Sequence, residues 1–305
     1  MQADEYTIEE KNIDVGDGHT LYTHIWGNSK SNKTVLFLHR GPGSGCEDIH
    51  KTLFDPTVHK VVFIDQRGSG KSTPHGSIDN NKTDDLVEDI NKVMDELKID
   101  EFSITGGSWG STLGLVYAIK YPKRVKRLIL RGIFTSRKSE IDFLDKGGFK
   151  DIFPDAWEEY VNTVPKKHRF DPSSYHFDRI LGNDPEKAKR SAYHYESLVM
   201  RLIGLDDRTR IDSYDEYDPS SITIEVNYLV NACYLPEGYI IKNASKLTMP
   251  VDIIQGRYDM ICPPFTALDL HNELPNSTLH WTIAGHSGRD RANWQTNKAL
   301  LSSLD

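Results

Sequence analysis

Gly106-Gly107-Ser108-Trp109-Gly110 is the stretch whose reading decides the fold. The apolar run Phe102-Ser103-Ile104-Thr105 leads into it, and a helical pattern from about Ser111 to Tyr121 leads out, stopping before Pro122. Strand, sharp turn and helix are the context in which G-x-S-x-G carries chemistry. The turn forces the serine into a strained backbone. Glycines two before and two after are needed because side chains there would collide with the neighbouring strand and helix. The outcome is an exposed hydroxyl at a helix N-terminus, where the dipole and free N–H groups favour an oxyanion.

A serine hydroxyl is a poor nucleophile until a base takes its proton, and the base needs an orienting carboxylate. In this arrangement the partners follow in the order Ser, Asp, His on loops after later strands. Asp259 follows the apolar run Val251–Gln255, and His286 follows Leu279–Ile283. Asp252 lies inside its strand and is set aside. The predicted catalytic set is therefore Ser108, Asp259 and His286. Upstream, His39-Arg40-Gly41-Pro42-Gly43 follows the strand candidate Thr34–Leu38. Gly41 leaves room for backbone N–H groups to face a developing charge, and Pro42 fixes the turn, with a cis peptide bond as one option. The expected oxyanion donors are the N–H groups of Gly41 and Trp109.

Further strands are expected at Val61–Asp65 and Val125–Leu130, with a helix opening at Asp84 and Asp85 between the first of these and Phe102–Thr105. Leu86, Ile90, Val93, Met94 and Leu97 fall on one face of that helix. The alternation of strand and helix fades after Phe134 and returns beyond Pro250. Between them, Ala156–Val161, Glu186–Leu202 and Ile222–Cys233 read as helices. The predicted architecture is an α/β-hydrolase fold: a mostly parallel sheet flanked by helices, with an inserted helical cap. Residues 1–134 and 246–305 form the core domain, and 135–245 the cap.

Composition narrows the function classes. The 305 residues are 37% hydrophobic and 27% charged, a globular profile. The net charge of −8 offers nothing to nucleic acid. No apolar run reaches the roughly 20 residues of a membrane-spanning helix. The polar start Met1–Glu5 has no secretory pattern. Three scattered cysteines (Cys46, Cys233 and Cys262) suit a reducing cytoplasm rather than a disulfide or zinc framework. Gly68-Ser69-Gly70-Lys71-Ser72 imitates a phosphate loop but has Asp65 where the motif demands glycine. It reads as a tight turn, with Arg67 tying the loops together. No metal or organic cofactor is implied, and no feature fixes an oligomeric state.

Several of these segments together resemble the proline iminopeptidases, the prolyl aminopeptidase family of α/β-hydrolases. The similar stretches are Asp65–Ser72, Gly106–Leu113, Leu130–Phe134 and Phe153–Glu158, and the likeness spans nearly the whole chain. The resemblance implies a serine peptidase that removes an N-terminal residue, preferably proline, from small peptides with a free N-terminus. It also implies that Glu196, in Tyr193-His194-Tyr195-Glu196, and Glu225, in Ile222–Tyr228, hold the substrate's α-amino group, with Phe134 against the prolyl ring. Three departures stand out. Arg40 replaces the first glycine of the usual His-Gly-Gly-Pro-Gly, Tyr193 and Tyr195 replace tryptophans, and Leu144 and Leu229 stand where the family carries aromatics. The rival readings are an esterase or amidase of the same fold and a binding protein without catalysis. Epoxide hydrolysis and dehalogenation need an aspartate at position 108.

Overall fold

The computed structural model describes residues 5–205 and 213–304. Its eight strands are β1 (Thr7–Gly16), β2 (His19–Gly27), β3 (Thr34–Leu38), β4 (Lys60–Ile64), β5 (Phe102–Ser108), β6 (Val125–Ile133), β7 (Val251–Gly256) and β8 (Ser277–Thr282). They form one sheet in the order β1-β2-β4-β3-β5-β6-β7-β8. β1 and β2 pair antiparallel, β2 runs antiparallel to β4, and the other neighbours are parallel. β3 is buried at every residue and β5 through Gly106, as strands covered on both faces must be.

α1 (Thr83–Glu96) and α2 (Trp109–Lys120) pack on one face through Leu86, Val93, Leu113 and Val116. Between β6 and β7 the described chain makes helices and no strand: α3 (Lys138–Asp145), α4 (Pro154–Asn162), α5 (Pro172–Ile180), α6 (Pro185–Leu202), α7 (Ser220–Val230) and α8 (Tyr239–Asn243), with short 3₁₀ turns after α4, α7 and α8. Most of this stretch shares a core of its own, with Phe149, Tyr160, Tyr195, Leu198 and Val226 at its centre. Residues 206–212 of the expected insertion lie outside the described residues. α9 (Pro264–Glu273) and α10 (Arg291–Ser302) complete the sheet's two covers. No described helix is long and apolar enough to cross a membrane.

The strand pattern expected from sequence holds at Thr34–Leu38, and the others shift or lengthen by one to three residues. β5 runs on into Ser108 and β6 runs on to Ile133. The β1–β2 pair was not anticipated. β1 is an edge strand with five of its ten residues exposed, while β2 buries the polar His19, Thr23 and His24 and runs buried from Thr23 to Trp26, so neither shows a clean apolar period of two. The helix expected at Ile222–Cys233 ends at Val230, because Ala232, Cys233 and Tyr234 all take positive φ.

Two polar knots secure the loops at the carboxyl ends of the strands. Arg67 Nε and Nη2 donate to both oxygens of buried Asp89 at 2.7 and 2.8 Å, and Nη1 reaches the carbonyl of Asn80. Asp65 accepts from the backbone N–H of Cys46 at 2.7 Å and of Lys71 at 2.8 Å. The amide that a phosphate loop would aim at its ligand is thus occupied by a carboxylate.

Candidate active site

Ser108 sits at φ 56°, ψ −125°, at the junction of β5 and α2. Three glycines make that turn possible. A Cβ at Gly106 would lie 2.6 Å from the Gly110 carbonyl oxygen, and one at Gly110 would lie 2.3 Å from that of Leu38. A Cβ at Gly107 would strike the Arg131 guanidinium at 2.2 Å. At Gly106 and Gly110 the obstacle is backbone, so no larger residue fits at either.

Asp259 and His286 meet: Nδ1 of the imidazole is 2.9 Å from Oδ2 of the carboxylate, and both side chains are buried. The carboxylate is held by further donors. Its Oδ1 accepts from the N–H groups of Ile261 at 3.0 Å and Cys262 at 2.8 Å, and Gln255 Nε2 donates to Oδ2 at 3.2 Å. Gln255 also accepts from the Ile133 N–H at 3.0 Å, which ties the carboxylate to β6. The His286 loop is clamped by Asn293, whose amide donates to the carbonyls of Gly285 and Ser287, and by Arg131, which donates to the His286 carbonyl. Ser108 pairs with Ile133 in the sheet, and the neighbouring Gly132 leaves space for the imidazole: a Cβ there would be 3.1 Å from His286 Cε1. The Ser108 hydroxyl lies beside the Cys262 thiol, and no hydrogen bond joins it to His286 among the described residues. Such bonds commonly close only when substrate is bound. Burial keeps the Cys262 thiol protonated, well above its ordinary pKa.

The loop carrying Gly41 is fixed to the start of α2 through a chain of buried polar groups. The Trp109 indole N–H donates to Gln66 Oε1 at 2.8 Å, and Gln66 Nε2 donates to the His39 carbonyl at 3.2 Å. The His39 ring accepts from the Gln66 N–H at 3.0 Å and faces the Arg40 carbonyl at 2.8 Å with Nδ1. Burial lowers the His39 pKa, so the ring stays neutral and can accept on one nitrogen while donating from the other. The Gly41–Pro42 peptide bond is cis and Gly41 has φ 114°. Sequence reasoning identified the loop but not this His39–Gln66–Trp109 brace, whose members are 27 to 70 positions apart.

A pocket of about 50 Å³ opens at Ser108. Gly41, Phe134, Leu144, Leu229 and Glu225 line it, together with Asp145 and Cys262. Burial pushes the Glu225 carboxyl up to about 8, the nearby charges of Glu196 and Asp145 add to that, and Arg40 opposes them. Glu196, on α6, is not part of this lining, but its charge is felt by Glu225 and by the buried Tyr217 hydroxyl. Asp145 was not foreseen. It ends α3 inside the pocket, 3.4 Å from the Tyr195 hydroxyl, and burial pushes it up to about 8. Nothing in the pattern of α3 separates it from a solvated acid in a last turn. A third carboxylate, Glu140, is satisfied by Thr135 and Arg137 and reads as structural.

The sequence profile of the α/β hydrolase fold matches residues 33–288. A proline iminopeptidase of Arabidopsis thaliana is 39% identical over 287 residues, spanning 92% of this chain and 75% of its own. That of Xylella fastidiosa is 37% identical over 286 residues, spanning 92% and 91%. This chain belongs to the proline iminopeptidase family of α/β-hydrolases. Solved structures extend the likeness of the fold: a proline iminopeptidase of Mycobacterium smegmatis superposes with a TM-score of 0.66 at 17% identity over 97% of both chains. An esterase from Exiguobacterium antarcticum gives 0.62 at 20% identity, covering 97% and 99%. At that distance the family's architecture is shared with enzymes of other specificity, so the choice of substrate rests on the side chains around Ser108.

Proposed function

We propose that the protein is a serine aminopeptidase that releases an N-terminal residue, preferably proline, from small peptides through an acyl-enzyme on Ser108. One observation carries the reading: the pocket at the nucleophile holds a carboxylate, Glu225, raised to about 8 and without a cation bonded to it among the described residues. An ester or an internal peptide bond brings no positive charge to pair with it. A terminal ammonium does, through charge-assisted hydrogen bonds that also set which bond reaches Ser108. The helical stretch 135–245 acts as a cap, carrying Glu196 and Glu225 over the ends of the strands.

In the cycle, His286 takes the Ser108 proton while Asp259 holds its imidazole, and Oγ attacks the carbonyl of the first residue. The N–H groups of Gly41 and Trp109 receive the oxyanion; the latter is a free donor of the first helical turn. His286 then protonates the leaving amine, and water hydrolyses the acyl-enzyme by the same route reversed. Phe134, Leu144 and Leu229 make the apolar wall for the prolyl ring. The three cysteines are unpaired, which agrees with a reducing cytoplasm as the working compartment.

Initial rates on prolyl, alanyl and leucyl anilides, each with a free and an acetylated amino terminus, test the proposal. Turnover of the free forms alone, prolyl fastest, is expected. Equal rates on acetylated forms, or hydrolysis of simple esters only, would leave Ser108 a nucleophile and make the enzyme an esterase or amidase.

A further inference from the structure

A second, larger cavity of about 210 Å³ has His286 of the site in its lining. Its position follows from residue pairs along the chain. Arg40 lines this cavity and Gly41 the pocket at Ser108; Gly107 lines this cavity and Ser108 the pocket. Ser108 and Gly41 are therefore each next in the chain to a residue of the second cavity's lining. His286, the group that must hand a proton to the leaving amine, is part of the lining of the second cavity. If the residue to be released occupies the pocket with Glu225, the remainder of the substrate faces this space.

The chemistry of the two spaces is opposite. The pocket is acidic, whereas the cavity is lined by Arg40, Arg131 and Arg289 against one acid, Glu47. Glu47 is engaged at the rim by Arg289 Nη2 at 2.5 Å. Arg40 and Arg131 form no ion pair with a carboxylate among the described residues; Arg131 donates to the His286 carbonyl instead. Burial holds the neighbouring His50 imidazole down at about 3, with the charges of Arg40, Arg289 and Arg131 acting in the same direction. It stays neutral and does nothing to offset the positive charge, and the apolar floor of Phe37, Leu53 and Trp294 strengthens the local field.

We propose that this cavity receives the free α-carboxylate of the leaving amino acid, held by Arg40 in the field of Arg131 and Arg289, so that unblocked dipeptides are the favoured substrates. The inference rests on the aminopeptidase reading and deepens it: ammonium on one side of Ser108, carboxylate on the other. The residue responsible, Arg40, is one of the five positions at which the chain departs from the usual family pattern.

Dipeptides of proline with alanine, as the free acid and as the C-terminal amide, separate the possibilities. Each is measured twice, as kcat/KM on the wild-type enzyme and as Kd on Ser108→Ala by calorimetry. The acid is expected to be favoured about tenfold or more in both, the size of one charge-assisted hydrogen bond to a guanidinium. Arg40→Gln is expected to bring the acid-to-amide ratio near one, Arg40→Lys to restore most of it, and added salt to shrink it. Equal handling of acid and amide by an enzyme that cleaves both overturns the carboxylate site and leaves the aminopeptidase standing. A fall in Arg40→Gln that is the same for acid and amide also overturns it, with Arg40 then acting through Glu225. Cleavage of neither dipeptide, alongside hydrolysis of simple esters, removes both readings together.

Discussion

Glu225→Gln is expected to make the protein more stable and less active, in a manner set by pH. The Glu225 carboxyl is moved from 4.5 to about 8, chiefly by burial and then by the charge of Glu196. Because the folded value lies above the unfolded one, the group costs nothing below 4.5, where it is protonated in both states. Its penalty builds as pH rises from 4.5 to about 8 and is constant above that. A displacement of that size corresponds to about 5 kcal/mol at most. Solvent screening of a side chain that borders an open pocket leaves roughly 1–3 kcal/mol of it. For a chain of this length the variant should therefore melt about 2–5 °C higher at alkaline pH, with little or no gain near the carboxylate range. Thermal unfolding of both proteins at about pH 4.5 and about pH 9, followed by circular dichroism, reads this directly. On the activity side, kcat/KM for a free-amine anilide should rise towards about 8 in the wild type as Glu225 ionises. That limb should be missing from Glu225→Gln, which should be slower by roughly 10- to 100-fold, the worth of a charge-assisted hydrogen bond. A gain in stability of the same size at both pH values, or a variant less stable at alkaline pH, would refute the claim that Glu225 is an unsatisfied carboxylate. A rate unchanged on free-amine substrate would refute its role.

Other parts of the account are open to single changes. Asp259→Asn should keep the fold but cut kcat by about 10⁴-fold, since the imidazole loses its orienting charge, as steady-state rates on a prolyl anilide would record. Gln66→Leu removes the acceptor of the Trp109 indole and the donor to the His39 carbonyl. It should lower kcat about tenfold or more with KM nearly unchanged, because the Gly41 loop loses its registration with α2. Arg67→Ala leaves Asp89 buried without its partner, so urea unfolding should show a loss of about 3–5 kcal/mol. Removing Asp89 as well should recover part of that loss.

What could be read in the sequence was what local sterics dictate. Gly106, Gly107 and Gly110 betray the elbow because each faces an atom within 2.6 Å of where a Cβ would be. Asp259 and His286 were found because each follows a short apolar strand, where this fold keeps its loops. The loops after β7 and β8, however, lead into α9 and α10, which periodicity did not reveal; α9 is mixed in character, with Phe265 and Leu268 exposed. The acidic character of the pocket escaped notice for a different reason. Asp145 and Glu225 lie 80 positions apart on α3 and α7, and each looks like an ordinary helical acid until packing brings both to Ser108. The His39–Gln66–Trp109 brace is equally a product of two separate loops and the start of α2. Glu196 and Glu225 were legible only through the family resemblance, because the spacing between α6 and α7 carries no periodic signal.

The most direct test is to mix the enzyme with prolyl p-nitrophenyl ester, quench within the first turnover, and map the modified peptide by mass spectrometry. The account predicts one prolyl group on Ser108, absent from Ser108→Ala and not formed from the acetyl-prolyl ester. A prolyl group on any other residue, or equal labelling of Ser108 by the acetylated ester, would contradict it.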